Sequence, residues 1–165
     1  MDAIQSKYNL GCGVNPPPSL IVTCDLAINN PGNIRTEPFS YIGKVSGPST
    51  SFLSFDTLAN GYLAMITKLR YYYEFYQDTT LSKLLDRYSP ASDGNTPVAE
   101  TLNICKNLNI QPTDDIKDIL YSPAVIDLVD LITQHEQTHD TWVACDPILI
   151  LSWYYLHSVL GFTAF

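Results

Sequence analysis

Three groups of residues in this chain have the types and spacing for chemistry: an amide-and-arginine loop, a small set of glutamates, and a histidine pair four residues apart. The loop reads Asn29-Asn30-Pro31-Gly32-Asn33-Ile34-Arg35. Pro31-Gly32 sets a tight turn, since proline fixes φ and glycine accepts the positive φ that other residues resist. Asn29, Asn30 and Asn33 each carry an amide that either ties down nearby backbone or is presented to a ligand. Ile34 anchors the loop in a core, while Arg35 offers a planar fork of donors. Residue types alone leave two readings open, a rigid structural turn and a binding loop.

One chemistry open to the carboxylic acids is glycoside cleavage. It requires a carboxylic acid whose pKa is raised by an apolar setting. The glutamates are Glu37, Glu74, Glu100 and Glu136. Glu37 follows the loop directly, although Pro38 and the turn character around it equally suit a solvated side chain. Glu100 lies one helical turn after Thr96, close to the glutamate position of a capping box. Asp25, just upstream of the loop, is the third candidate. Glu37, Glu100 and Asp25 are therefore the candidate catalytic acids, and no local pattern chooses among them.

His135-Glu136-Gln137-Thr138-His139 spells HExxH. On a helix, histidines at this spacing point the same way and can share one zinc, with the glutamate polarising bound water. A zinc peptidase built on His135, His139 and Glu136 is the alternative that follows. A third ligand is hard to find, because no glutamate follows Glu136 and only Asp140, Asp146 or His157 remain. The expectation is no metal and no cofactor, with the imidazoles favourably placed at a helix C-terminus.

The elements that must position these groups are mostly helical. Residues 1–36 look irregular, and the aromatics of 39–55 around Gly47-Pro48 suggest a small hairpin. Asp56 or Thr57 caps a helix to about Tyr76, with Leu58, Tyr62, Met65, Ile66, Leu69 and Tyr73 on one face. Thr79 starts a second helix that Ser89-Pro90 ends. Thr96-Pro97 opens a third, ending near Asn109, because proline suits the first helical position. Thr113 caps a short segment, and Ser122-Pro123 opens a last helix to about His139. Tyr71, Tyr72, Tyr73, Phe75 and Tyr76 ring their helix, so some of them must face solvent or a partner. Core packing, stacking on sugars and packing on a neighbouring protein are all uses for them.

At 165 residues the chain has the length of one domain able to bury a core. A formal charge of −8 with nine Lys+Arg argues against nucleic acid, which needs a basic face. It argues equally against electrostatic attraction to anionic lipid, so a glycan ligand would be held by amides and aromatics. The four cysteines, at 12, 24, 105 and 145, form no CxxC pair. Cys12 and Cys24 could close a loop around Pro16-Pro17-Pro18, although a reducing cytoplasm disfavours that disulfide. No secretory signal pattern is visible at the N-terminus. Pro147–Phe165 carries no formal charge, which suits either a buried terminal helix or a membrane-associated tail.

The loop also carries a resemblance that continues down the chain. The Asn-Asn-Pro-x-Asn-Ile-Arg pattern is followed in order by Ile42-Gly43, Phe52, Phe55-Asp56 and Gly61-Tyr62-Leu63-Ala64. Leu69, Tyr72-Tyr73, Thr80-Leu81, Arg87-Tyr88-Ser89-Pro90, Asp93, Asn95, Thr96 and His135-Glu136 come next. This order resembles a family of small bacteriophage and prophage structural, virion-associated proteins related to lysozyme-like folds. Asp93-Gly94-Asn95 stands where the family often has Glu-Asn, and the chain after Asp140 departs from its pattern. The resemblance implies a mainly α (α+β) domain, lysozyme-like and helical with a small β-hairpin. It would form one unit over 1–165, with an irregular arm at 1–24, a family-like core at 25–140 and an apolar C-terminal helix at 141–165. Glu37 beside a hairpin resembles the lysozyme placement of an acid next to a small β region. Asn29, Asn30, Asn33, Arg35 and Tyr62 are the expected substrate-binding residues. The implied function is to cleave or engage host peptidoglycan during entry or lysis, as a peptidoglycan hydrolase or lytic transglycosylase. The alternative is a non-catalytic capsid or tail component. Expected partners are peptidoglycan or another glycan and other virion proteins. The protein would be made in the host cytoplasm, carried in the virion and active at the bacterial envelope.

Overall fold

Among the described residues, two short strands and five α-helices follow one another. The computed structural model describes residues 29–48 and 50–136. Asp25, Cys12, Cys24, Cys145, His139 and the 147–165 segment lie outside the described residues, and so do the expectations attached to them.

Strands β1 (Lys44–Val45) and β2 (Ser54–Phe55) pair antiparallel, with Lys44 opposite Phe55 and Val45 opposite Ser54. Helix α1 (Leu58–Tyr76) starts where expected, because the Thr57 hydroxyl accepts the Asn60 N–H and satisfies a donor that the first turn leaves free. Helix α2 (Leu81–Tyr88) is capped in the same way by Thr80 and ends at Ser89, ahead of Pro90. A 3-10 turn at Ala91–Asp93 leads to α3 (Pro97–Leu108), which stops at Asn109 in the left-handed conformation. Helix α4 (Lys117–Leu120) follows Ile116 and not Thr113, because Thr79 and Ile116 pair across the gap and set its start. Helix α5 (Val125–Glu136) completes the described chain. The architecture is mainly α with one small hairpin.

Helix α1 is the central post. It packs on β2, α2, α4 and α5, while α3 is sandwiched between α2 and α5. Gly61 through Ile66 are buried without interruption, so the first half of α1 is enclosed on every side and not on one stripe alone. Leu69, Leu84, Leu85, Ile104, Leu120, Leu128 and Val129 extend this core, each fully buried. Beyond Arg70 the helix leaves the core, and none of its five clustered aromatics is fully buried there.

The signature loop is built into this core. Asn30 is fully buried; its amide nitrogen donates to the Ile34 and Leu53 carbonyls at 2.9 Å each, and its oxygen accepts the Ile34 N–H at 2.8 Å. Asn29 donates to the Phe55 carbonyl at 3.1 Å. These two amides tie the loop to the hairpin and are not presented to a ligand. The turn closes with Asn33 N–H donating to Asn30 O. Its left-handed residues are Asn29 and Asn33, not Gly32. Gly32 is required for space, since a Cβ there would fall 2.1 Å from the Tyr88 hydroxyl. Gly61 serves the same purpose on the helix side, where a Cβ would meet the Asn29 carbonyl oxygen at 2.1 Å. Asn30→Ala is expected to cost about 2–3 kcal/mol, because it strands buried backbone groups of Ile34 and Leu53. Thermal melting checks this, and a melting temperature within a degree or two of the parent would reject the role.

Candidate functional site

Five separate stretches of chain meet at one cleft of about 280 Å³, Phe52 ahead of β2 being one of them. The signature loop supplies Gly32, Asn33 and Arg35; α1 supplies Lys68 and Tyr72. The end of α2 and the following turn supply Arg87, Tyr88, Asp93 and Asn95, and Glu136 closes the far wall. The Tyr88 hydroxyl donates to the Gly32 carbonyl at 2.7 Å, locking loop to helix. Burial first, then the charge of Glu136, raises the Tyr88 pKa well above its usual value, so this phenol stays a donor.

Glu136 is held from both sides. Its Oε1 accepts the Ser89 hydroxyl at 2.6 Å, and its Oε2 accepts the Asn33 amide at 3.2 Å. The same Asn33 nitrogen also donates to the Glu136 backbone carbonyl at 3.1 Å. The third asparagine of the loop therefore positions a glutamate 103 residues away.

Glu100 sits behind this wall at 2% exposure. No donor among the described residues makes a well-aligned hydrogen bond to either of its oxygens. Ser89 is close to both carboxyl groups but aims its hydrogen at Glu136. Burial foremost, then the charge of Glu136, pushes the Glu100 pKa up to about 8, partly opposed by Ser89. Glu100 is thus a neutral carboxyl at pH 7, which also explains why it can be buried without donors. His135 Nε2 lies 3.5 Å from Glu100 Oε2. Opposite a protonated acid, that contact is an imidazole facing a carboxyl and not an ion pair.

A second hollow of about 300 Å³ adjoins the cleft and shares Lys68, Tyr72 and Arg87 with it. Its walls are Phe39, Tyr41, Tyr71 and Tyr76. Phe39 packs edge-on to Tyr71, with ring centroids 4.8 Å apart, and the Arg87 guanidinium lies 3.9 Å from the Tyr76 ring centre.

The structure sorts the expected site residues. Arg35 faces the cleft, where it pairs with Asp93 at 3.0 Å; its side chain is 65% exposed. Asn33 reaches the cleft through Glu136. Asn29 and Asn30 belong to the loop's internal framework; Asn30 and Tyr62 are fully buried and cannot meet a substrate in this conformation, and half-buried Asn29 does not line the cleft. Glu37 is committed elsewhere: its Oε1 accepts Lys68 Nζ at 2.9 Å and the Tyr41 hydroxyl at 2.5 Å, tying the hairpin region to α1. Glu37 lines the aromatic hollow and not the cleft. Glu100 has the apolar setting expected of an acid but does not line the cleft. Among the described residues no group of three His, Cys, Asp or Glu side chains could hold a metal ion, and no helix is long and apolar enough to cross a membrane.

The sequence placed Glu136 in the HExxH alternative and in the ordered pattern, not among the candidate catalytic acids. The available signal was its place in the ordered pattern, together with Ser89, Asp93 and Asn95.

Arg35→Ala tests whether the loop's outer edge binds ligand. A partly exposed pair contributes about 0–1 kcal/mol to stability, so melting should barely change. If the cleft takes a soluble peptidoglycan fragment, its binding should weaken by roughly tenfold, the loss of one charge-assisted contact. A several-degree fall in melting temperature with unchanged binding would make Arg35 structural instead.

A comparison with protein families finds none that matches this chain, and a search of curated proteins finds no match.

Proposed function

We propose that this is a lysozyme-like, virion-associated phage protein that binds peptidoglycan glycan strands in the cleft and cleaves them with Glu136 as the catalytic carboxylate. One observation carries the reading. A glutamate on the wall of an open cleft is oriented through both oxygens by Ser89 and by the signature-loop Asn33. A carboxylate fixed beside a bound glycosidic centre lowers the barrier to C–O cleavage by activating the attacking group or by stabilising the positive charge that develops on the sugar. The adjoining hollow suits the rest of a sugar chain. Rings such as Tyr71 and Tyr76 present apolar faces to the C–H faces of sugars, and neighbouring hydroxyls serve their oxygens. Expression in the host cytoplasm, transport in the particle and action at the envelope complete the proposal.

The direct experiment is incubation of the purified protein with sacculi, followed by analysis of released muropeptides. Reducing ends would mark hydrolysis, and 1,6-anhydro ends would mark transglycosylation. Neither release nor binding across a range of pH would sink the proposal.

A second reading, a non-catalytic capsid or tail component, has its own support. Phe75 is 65% exposed, and Val98 and Leu102, four apart on α3, are 71% and 57% exposed. Such side chains suit packing against a neighbouring protein. Stoichiometric abundance in purified virions without muropeptide release would favour this reading.

A further inference from the structure

Three of the chain's nine Lys and Arg residues, Arg35, Lys68 and Arg87, line the cleft of a molecule whose formal charge is −8. Two of them, Lys68 and Arg87, also line the adjoining hollow and flank Tyr72, which the two spaces share. Lys68 Nζ lies 5.4 Å from the centre of the Tyr72 ring, and the Arg87 guanidinium lies 5.7 Å from it. Both cations are held in place by the fold. The Lys68 side chain is 10% exposed and gives one of its three ammonium donors to Glu37. Arg87 gives Nε to buried Asp78 and seats its guanidinium 3.9 Å from the Tyr76 ring centre. The Asp78 contact leaves the two terminal guanidinium nitrogens, a pair that matches the two oxygens of a carboxylate. The negative charge of the whole chain does not forbid an anion here. Salt screens charges beyond roughly 8–10 Å, whereas these two cations meet a ligand directly.

We propose that Lys68 and Arg87 form a carboxylate subsite, so that the glycan bound here is an acidic one whose carboxylate sits beside Tyr72 where cleft and hollow join. The inference rests on the cleft being a glycan site. On a peptidoglycan strand the carboxylate has two sources, the lactyl group of the muramic sugar and the stem peptide attached to it. Both present the same planar anion. A neutral strand offers neither, and leaves the Arg87 fork without the acceptor pair that its geometry suits.

The test is titration calorimetry of the purified full chain with soluble glycan strands. One set is peptide-free, with free lactyl carboxylates, and the other keeps its stem peptides; each is compared with a form whose carboxylates are converted to amides. The parent should prefer the carboxylate form by about tenfold or more, and the preference should shrink in high salt. A preference seen with peptide-free strands places the carboxylate on the sugar, and one confined to stem-bearing strands places it on the peptide; either supports the subsite. Lys68→Met should bring the preference towards one. The paired variant Asp78→Asn with Arg87→Gln removes the other cation without stranding a buried carboxylate, and should do the same. Equal affinity of the parent for carboxylate and amide forms would overturn the subsite and leave the glycan reading standing. An undiminished preference in both variants would overturn it too. No binding of any strand would remove the glycan reading, and the subsite with it.

Discussion

On the proposed reading, Glu136→Gln is expected to lower muropeptide release by about two to four orders of magnitude, the range that a positioned general acid or base supplies. Binding to sacculi should stay close to that of the parent. The substitution keeps one oxygen in place to accept from Asn33, and the Ser89 hydroxyl can rotate to accept from the new amide. The neutral side chain also removes a charge that raises the Glu100 pKa, so Glu100 should titrate closer to its ordinary value in this variant. Loss of activity together with that shift would tie both carboxyls to one site. Activity within a fewfold of the parent would exclude Glu136 as the catalytic carboxylate. The search would then move to Asp93, which also lines the cleft.

Above pH 8, Glu100→Gln is expected to melt well above the parent, whereas near pH 4 the two should coincide. The sign follows from proton uptake. Glu100 has an ordinary pKa of 4.5 and one of about 8 in the fold, so between these values the folded protein binds more protons than the unfolded chain. Stability from this group is fully present below 4.5, falls as pH rises, and is gone once pH passes the folded value. The window spans about three and a half pH units, which sets the difference on the order of 3–5 kcal/mol. For a chain of this size that is roughly 6–15 °C in melting temperature. Glutamine imitates the protonated acid, and its amide hydrogens have Ser89, His135 and Glu136 as acceptors within the same cluster. Parallel melting curves for parent and variant from pH 4 to pH 9 would show that Glu100 carries no trapped proton.

Much of the secondary structure is written locally. Thr57 and Thr80 each accept an N–H of the first turn, and Pro97 occupies a helix start that needs no donor. Asn109 tolerates the left-handed backbone that ends α3. Such effects reach only across one turn of chain, so helix ends can be read from neighbouring residues. Thr113 shows where this fails: α4 starts at Lys117 because of the pairing of Thr79 with Ile116, which the nearby sequence does not reveal.

The site belongs largely to the other category. The turn at Pro31-Gly32, the entry of Ile34 into the core and the outward position of several aromatics of α1 were legible in the sequence. The sequence could not separate Asn30, whose amide is consumed inside the loop and hairpin, from Asn33, whose amide crosses to α5. Nor could it divide the roles of Glu100 and Glu136, since both are helical glutamates with polar neighbours. Only the packing of α2, α3 and α5 removes water from Glu100 and leaves Glu136 on the cleft wall. Proton affinity depends on desolvation and on charges brought close in space, and both arise from contacts between segments far apart in the chain.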